Sequence, residues 1–172
     1  MRTIGLGPFV ARVLPVFALL LLVTSQTALA EKVDCSGSKK KKQDVSRQAI
    51  NPGDHPDRTL VQFVRIDSMS SKHPDFDGAE QTVYGHLDNI RGTGTGTGYA
   101  VSTLKSGEKV WIRWEGTHFT VPKGDAWESR TQGVYRYIAG TGKFAAIRGG
   151  GSYHGVVTPT GLHEEFVCEA EY

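Results

Sequence analysis

The sequence predicts an all-β fold, a single antiparallel, roughly eight-stranded closed barrel. Three observations predict it. Runs rich in β-branched and aromatic residues recur about every 10 residues from position 59 onward. No stretch in that region repeats at the helical period. Sixteen of the nineteen glycines beyond residue 30 fall from Gly85 onward, where they interrupt the strand runs as well as separating them. Glycines inside strands mark bends, and bends favour a curled barrel over a flat sandwich.

Residues 1–30 read as a signal peptide: Arg2 is the basic start, the run around Val13 to Val23 is apolar, and Ala28-Leu29-Ala30 fits a cleavage site. An uncleaved anchor is the alternative, disfavoured by Pro15 and by a run short of the ~20 residues that span a bilayer. Cleavage leaves 172 − 30 = 142 residues, enough for one domain. It also removes Arg2 and Arg12 from a formal charge of +2, leaving a neutral chain. A neutral chain lacks the electrostatic footprint of nucleic-acid binding. Export, to a periplasm or the exterior, is the expected localisation, with no membrane span after cleavage.

From Glu31 to Arg58 the chain is polar and without periodicity, and it reads as a leader that is either mobile or lies along the surface of a barrel domain at 59–172. Lys39 to Lys42 reads as solvated tail. Cys35 and Cys168, near the two ends of the exported chain, are expected to pair as a disulfide; separate thiols remain open on sequence alone.

The strands follow in order. Thr59 to Asp67 is apolar on both faces until Arg65 and Asp67, and Gln81 to Asp88 comes after a loop of turn formers. Gly92-Thr-Gly-Thr-Gly-Thr-Gly98 invites a phosphate-loop reading, but it has neither the P-loop pattern nor a following helix, so a curled strand or strand pair continuing into Thr103 is expected. Lys109 to Phe119 alternates, with Val110, Ile112 and Trp114 on one face and Trp111, Arg113 and Glu115 on the other. Val121 to Asp125 reads as a loop. Gly140-Thr-Gly142 is expected as a tight hairpin between Val134–Ile138 and Phe144–Ile147, and Gly149 to Gly151 as a bulge or bend. The last strand, Gly161 to Tyr172, places Leu162, Phe166, Cys168 and Ala170 on an apolar face that Glu164 alone interrupts.

No zinc spacing, nucleophile elbow or cofactor fingerprint occurs, so neither a metal nor a cofactor is expected. A ligand barrel needs an apolar lumen and a few polar groups that orient what enters. The candidates are Tyr84, His86, Arg113, Glu115, Tyr137 and Tyr153. Arg113 and Glu115 are either a lumenal polar pair or an outer cross-strand ion pair. For Tyr84 and His86 the plainer reading is groups satisfied by loops at a barrel end.

The runs Gly107-Glu-Lys-Val-Trp-Ile-Arg-Trp-Glu-Gly116, Gly133-Val-Tyr-Arg-Tyr-Ile-Ala-Gly-Thr-Gly-Lys-Phe144 and Ile147-Arg-Gly-Gly-Gly-Ser-Tyr153 resemble the allene oxide cyclase-like group, which includes dirigent proteins and secreted bacterial members of unknown role. The resemblance covers about residues 58 to 172 and implies an eight-stranded barrel with an apolar lumen open at one end, often trimeric. It carries the barrel and no residue roles. The expected function is a secreted, cofactor-free barrel that binds a small apolar ligand or serves as an interaction module. The alternative is a stereo-directing cyclase or isomerase.

Overall fold

The computed structural model describes residues 31–172; the expected signal peptide lies outside them. Nine antiparallel strands run β1 Lys32–Asp34, β2 Gly37–Ile50, β3 Arg58–Ser71, β4 Glu80–Ile90, β5 Thr93–Thr103, β6 Lys109–Lys123, β7 Ala126–Gly140, β8 Arg148–Thr158 and β9 Gly161–Glu171. Each strand from β2 to β8 pairs with the next, and β9 pairs with both β8 and β2, so the sheet returns on itself as a ring-like barrel. The seam is short: β2 meets β9 only from Gly37 to Lys40, and β1 continues that edge along Glu169 to Glu171.

The polar leader is therefore a wall of the barrel. β2 shows no apolar periodicity because water reaches most of it on both faces, while Lys39, Lys41, Arg47 and Ala49 look into the interior. Beyond Lys40 its edge has no partner in β9, and it carries lysines, Asp44, Arg47 and two register shifts. Charge and bulges of this kind keep an open edge from pairing with other chains.

Three other expectations change. Phe144 to Ile147 is not a strand. β7 runs on to Gly140, a 3-10 turn covers Gly142–Phe144, and β8 starts at Arg148. Phe144 and Ile147 are drawn inward instead, to close one end of the barrel. The three glycines from Gly149 pair without a register shift, so they form no bulge. Gly149 and Gly150 sit at φ of 105° and 156°, and a Cβ at either would run into a neighbouring carbonyl. Glycine serves close strand approach there. The expected loop at 121–125 is a two-residue turn, because β6 and β7 stay paired to Lys123 and Ala126.

One end of the ring is plugged. Phe76, from the loop between β3 and β4, meets Phe144 with ring centroids 5.6 Å apart, and Phe144 meets Tyr172 at 4.5 Å. The Cys35–Cys168 disulfide lies in the same cluster. Complete burial of Phe76 and Phe144 stabilises by roughly 1.5–3 kcal/mol each. Lys143 and Tyr172 both reach Asp75 at 2.6 Å, and they hold its carboxyl below the ordinary carboxylate value.

Candidate functional site

Above the plug the barrel is hollow. A cavity of about 640 Å³ runs from the disulfide and Phe76 to the opposite end, where Asn89, His118, Thr120 and Trp127 line it. Strand alternation sets its wall: the inner faces carry Val61, Phe63, Val83, Leu87, Ile112 and Trp114 in the middle. Inner-face glycines keep this middle open. A Cβ on Gly85 would stand 2.8 Å from Trp114 Cζ2, and one on Gly98 the same distance from that ring, so the indole lies flat over bare backbone. Tyr153 covers Gly116 and Gly133 in the same way. Aromatic rings laid over strand glycines line a lumen without filling it.

Between this apolar band and the plug sits a polar network that draws on five strands. Glu164 on β9 is 2% exposed and Asp67 on β3 is 0% exposed. Lys39 Nζ stands 2.6 Å from Glu164 Oε1, a contact of charges with no aligned hydrogen bond, and donates to Gln81 Oε1 at 3.2 Å. Gln81 Nε2 donates to Ser102 Oγ at 2.9 Å. Arg65 Nε donates to Asp67 Oδ2 at 2.9 Å, while its Nη2 lies 3.9 Å from Glu164 Oε2. Burial pushes the Asp67 carboxyl up, against the lowering pull of Arg65 and Lys39. Asp67 Oδ1 and Trp114 Nε1 are buried without hydrogen-bond partners. Opposite this network, burial raises the phenols of Tyr135, Tyr137 and Tyr153 well above their ordinary value, so they stay neutral donors. Tyr135 donates to Val167 O at 3.1 Å, Tyr153 to Glu115 O at 3.4 Å, and the Tyr137 hydroxyl lies 3.2 Å from Cys168 Sγ. Near the open end His118 bonds Asn89, and burial lowers its imidazole, with Arg47 adding to the effect.

No family model matches the chain. No curated protein matches it either. Among solved structures it is similar to a pterocarpan synthase dirigent protein, at 13% identity and a TM-score of 0.47 over 90% of this chain and 99% of that one. A conserved protein of unknown function from Rhodopseudomonas palustris is similar at 10% identity and a TM-score of 0.48, over 83% and 99%. At such values the barrel stands on its own strand pairings. The all-β antiparallel ring that the resemblance to allene oxide cyclase-like proteins implied is present, with nine strands in place of the expected eight, while these comparisons assign the chain to no family.

The expected site residues divide by face. Tyr137 and Tyr153 line the cavity. Tyr84, His86, Arg113 and Glu115 point outward, and Arg113 and Glu115 form no ion pair among the described residues. Sequence reasoning missed Lys39, Arg65, Asp67 and Trp114 as lumenal groups. Glu164, the single polar residue on an apolar strand face, was the available signal. No group of three or more His, Cys, Asp or Glu side chains among the described residues is arranged to hold a metal ion.

Proposed function

We propose that this chain is a cofactor-free barrel that holds one small, largely apolar molecule in its lumen and works outside the cytoplasm. The observation that carries the reading is the 640 Å³ cavity itself, apolar and aromatic at mid-height, with fixed charges below and one end open. That size and mixture of walls is what small-molecule sites use. The disulfide favours an oxidising compartment. The molecule enters beside Trp127 and lies against Phe63 and Trp114. Its polar end faces Lys39, Glu164 and Tyr153.

An environment-sensitive apolar dye tests this. The expected result is 1:1 uptake that weakens by about tenfold or more in Thr131→Trp, which fills the lumen from its inner face. Uptake that ignores the substitution in a folded variant would place the dye on the outer surface and remove the reading. The stereo-directing isomerase remains a second reading because a carboxylate, Glu164, and a phenol, Tyr153, line the same cavity. General acid-base help of this type contributes roughly 10²–10⁴ in rate. A bound molecule recovered chemically unchanged in every case would leave carriage alone.

A further inference from the structure

Two lysines, Lys39 and Lys41, line the lumen among the described residues. Their settings differ. Lys41 pairs with Asp44, a largely exposed carboxylate, so water shares that contact. Lys39 leaves β2 at the seam, directly opposite Glu164 of β9 in the strand register. Its side chain is 13% exposed and that of Glu164 3%, with Nζ 2.6 Å from Glu164 Oε1. That oxygen accepts no hydrogen bond. Arg65 Nη2 steadies the carboxylate from its other oxygen, 3.9 Å away. Gln81, fixed by its own bond to Ser102, accepts from Lys39 Nζ at 3.2 Å. An amine, a base within reach of it and a third group that orients the base together make an activated nucleophile.

The surroundings limit what can meet that nucleophile. Each cation of the network already has a carboxylate, Lys39 with Glu164 and Arg65 with Asp67. No free charge is left there to draw an ionised ligand end, so the end that settles beside Lys39 is uncharged. An alcohol or an ether offers an amine only a hydrogen bond. A carbonyl carbon offers it a covalent one. We infer that, given the lumenal site proposed above, the molecule it takes is an apolar aldehyde, held as an imine on Lys39.

The Lys39 ammonium passes one proton to Glu164 Oε1. The freed Nζ lone pair attacks the carbonyl carbon, the C=O π pair moves to oxygen, and a second proton follows from nitrogen to that oxygen, which gives a neutral carbinolamine. Glu164 then gives its proton to the new hydroxyl, the C–O bond breaks, water leaves, and the nitrogen pair closes the C=N bond. Amine and aldehyde lose one water, and nothing is oxidised or reduced. The nitrogen is cationic again at the end, so Glu164 keeps its partner and is not left as an unpaired buried charge. The hydrocarbon part of the aldehyde lies along Phe63 and Trp114.

Cinnamaldehyde and decanal, supplied in stoichiometric amount with sodium cyanoborohydride, test this on the disulfide-bonded protein. Reduction fixes an imine as a secondary amine, and tandem mass spectrometry of the peptides finds the lysine that carries it. Lys39 is expected to be labelled at least about tenfold more than the exposed Lys72 and Lys105, because the lumen holds the aldehyde against it. Cinnamyl alcohol, which has no carbonyl, should displace the lumenal dye and suppress the labelling without itself becoming fixed. Lys39→Arg keeps a cation beside Glu164 but lacks the amine, so it should lose the adduct and retain dye uptake. Labelling of Lys39 no greater than that of Lys72 and Lys105, or an unchanged adduct in folded Lys39→Arg, overturns the inference. Dye uptake in a protein whose Lys39 is never labelled also overturns it and leaves the apolar site standing, whereas loss of both removes the lumenal site.

Discussion

Among the described residues, Glu164 and Asp67 are the two charged side chains that are buried, and burying a charge is costly unless it is paired. A carboxylate 2% exposed is tolerated only because Lys39 stands beside it, with Arg65 next in reach. Replacing one partner leaves the other as an unpaired buried charge. Glu164→Ala is therefore expected to lose about 3–5 kcal/mol in urea unfolding; a loss below about 1 kcal/mol would mean that water already screens the pair. Asp67 behaves differently. Burial raises its carboxyl above the ordinary value of 3.8. A raised acid keeps its proton in the folded chain where the unfolded chain has released it, so stability falls as pH climbs above about 4. Asp67→Asn binds no such proton. Its unfolding midpoint should gain on the parent's as pH rises from about 4, and parallel pH profiles would contradict the assignment. Part of this was legible: Glu164 broke an apolar alternation and so announced itself. Lys39 did not, because a lysine run looks the same whether its strand faces water or an interior.

At the scale of elements, the glycines and the aromatic rings belong together. Gly85 lies under Phe63 and Trp114, and any side chain there competes with both rings for the same space. Gly85→Val should lose about 1–3 kcal/mol through overpacking and weaken uptake of bulky apolar probes. A variant with parental stability and uptake would show that the rings have room to move aside. The Cys35–Cys168 bridge closes a loop of 133 residues. In the chain-entropy view this contributes roughly 4–5 kcal/mol, and the double Cys→Ser variant should show most of that loss in denaturant. Strands with one apolar face were the readable ones: β9 to its ends, and β6 from Lys109 to Phe119, four residues short of its end at Lys123. β2 was not, because period-two alternation vanishes where both faces are polar. The Gly140 to Gly142 hairpin was misread for a related reason. Glycine marks a turn without fixing its length, and Phe144 was needed at the barrel floor.

For the whole molecule, the two ends of the barrel have different work. The disulfide, Phe76, Phe144 and Tyr172 seal one end, while the other keeps His118, Thr120 and Trp127 around an opening. Glycine-bearing strands and the absence of helical period made the barrel readable from sequence, since those signals repeat over the chain. Which face of each strand looks inward was harder: of the six candidate ligand residues Tyr137 and Tyr153 look inward, while Tyr84, His86, Arg113 and Glu115, whose face the sequence left open, look outward. Burial of one face fixes direction only where the two faces differ in polarity, and β4 offers Tyr84 and His86 against Val83 and Gly85, a weak contrast. The most direct test of the central claim is native mass spectrometry of the disulfide-bonded protein against a graded series of apolar molecules. The account predicts a single adduct per chain for molecules that fit within about 640 Å³ and a sharp fall for larger ones. Bare protein across the series, or adducts that accumulate without regard to size, would contradict a lumenal site.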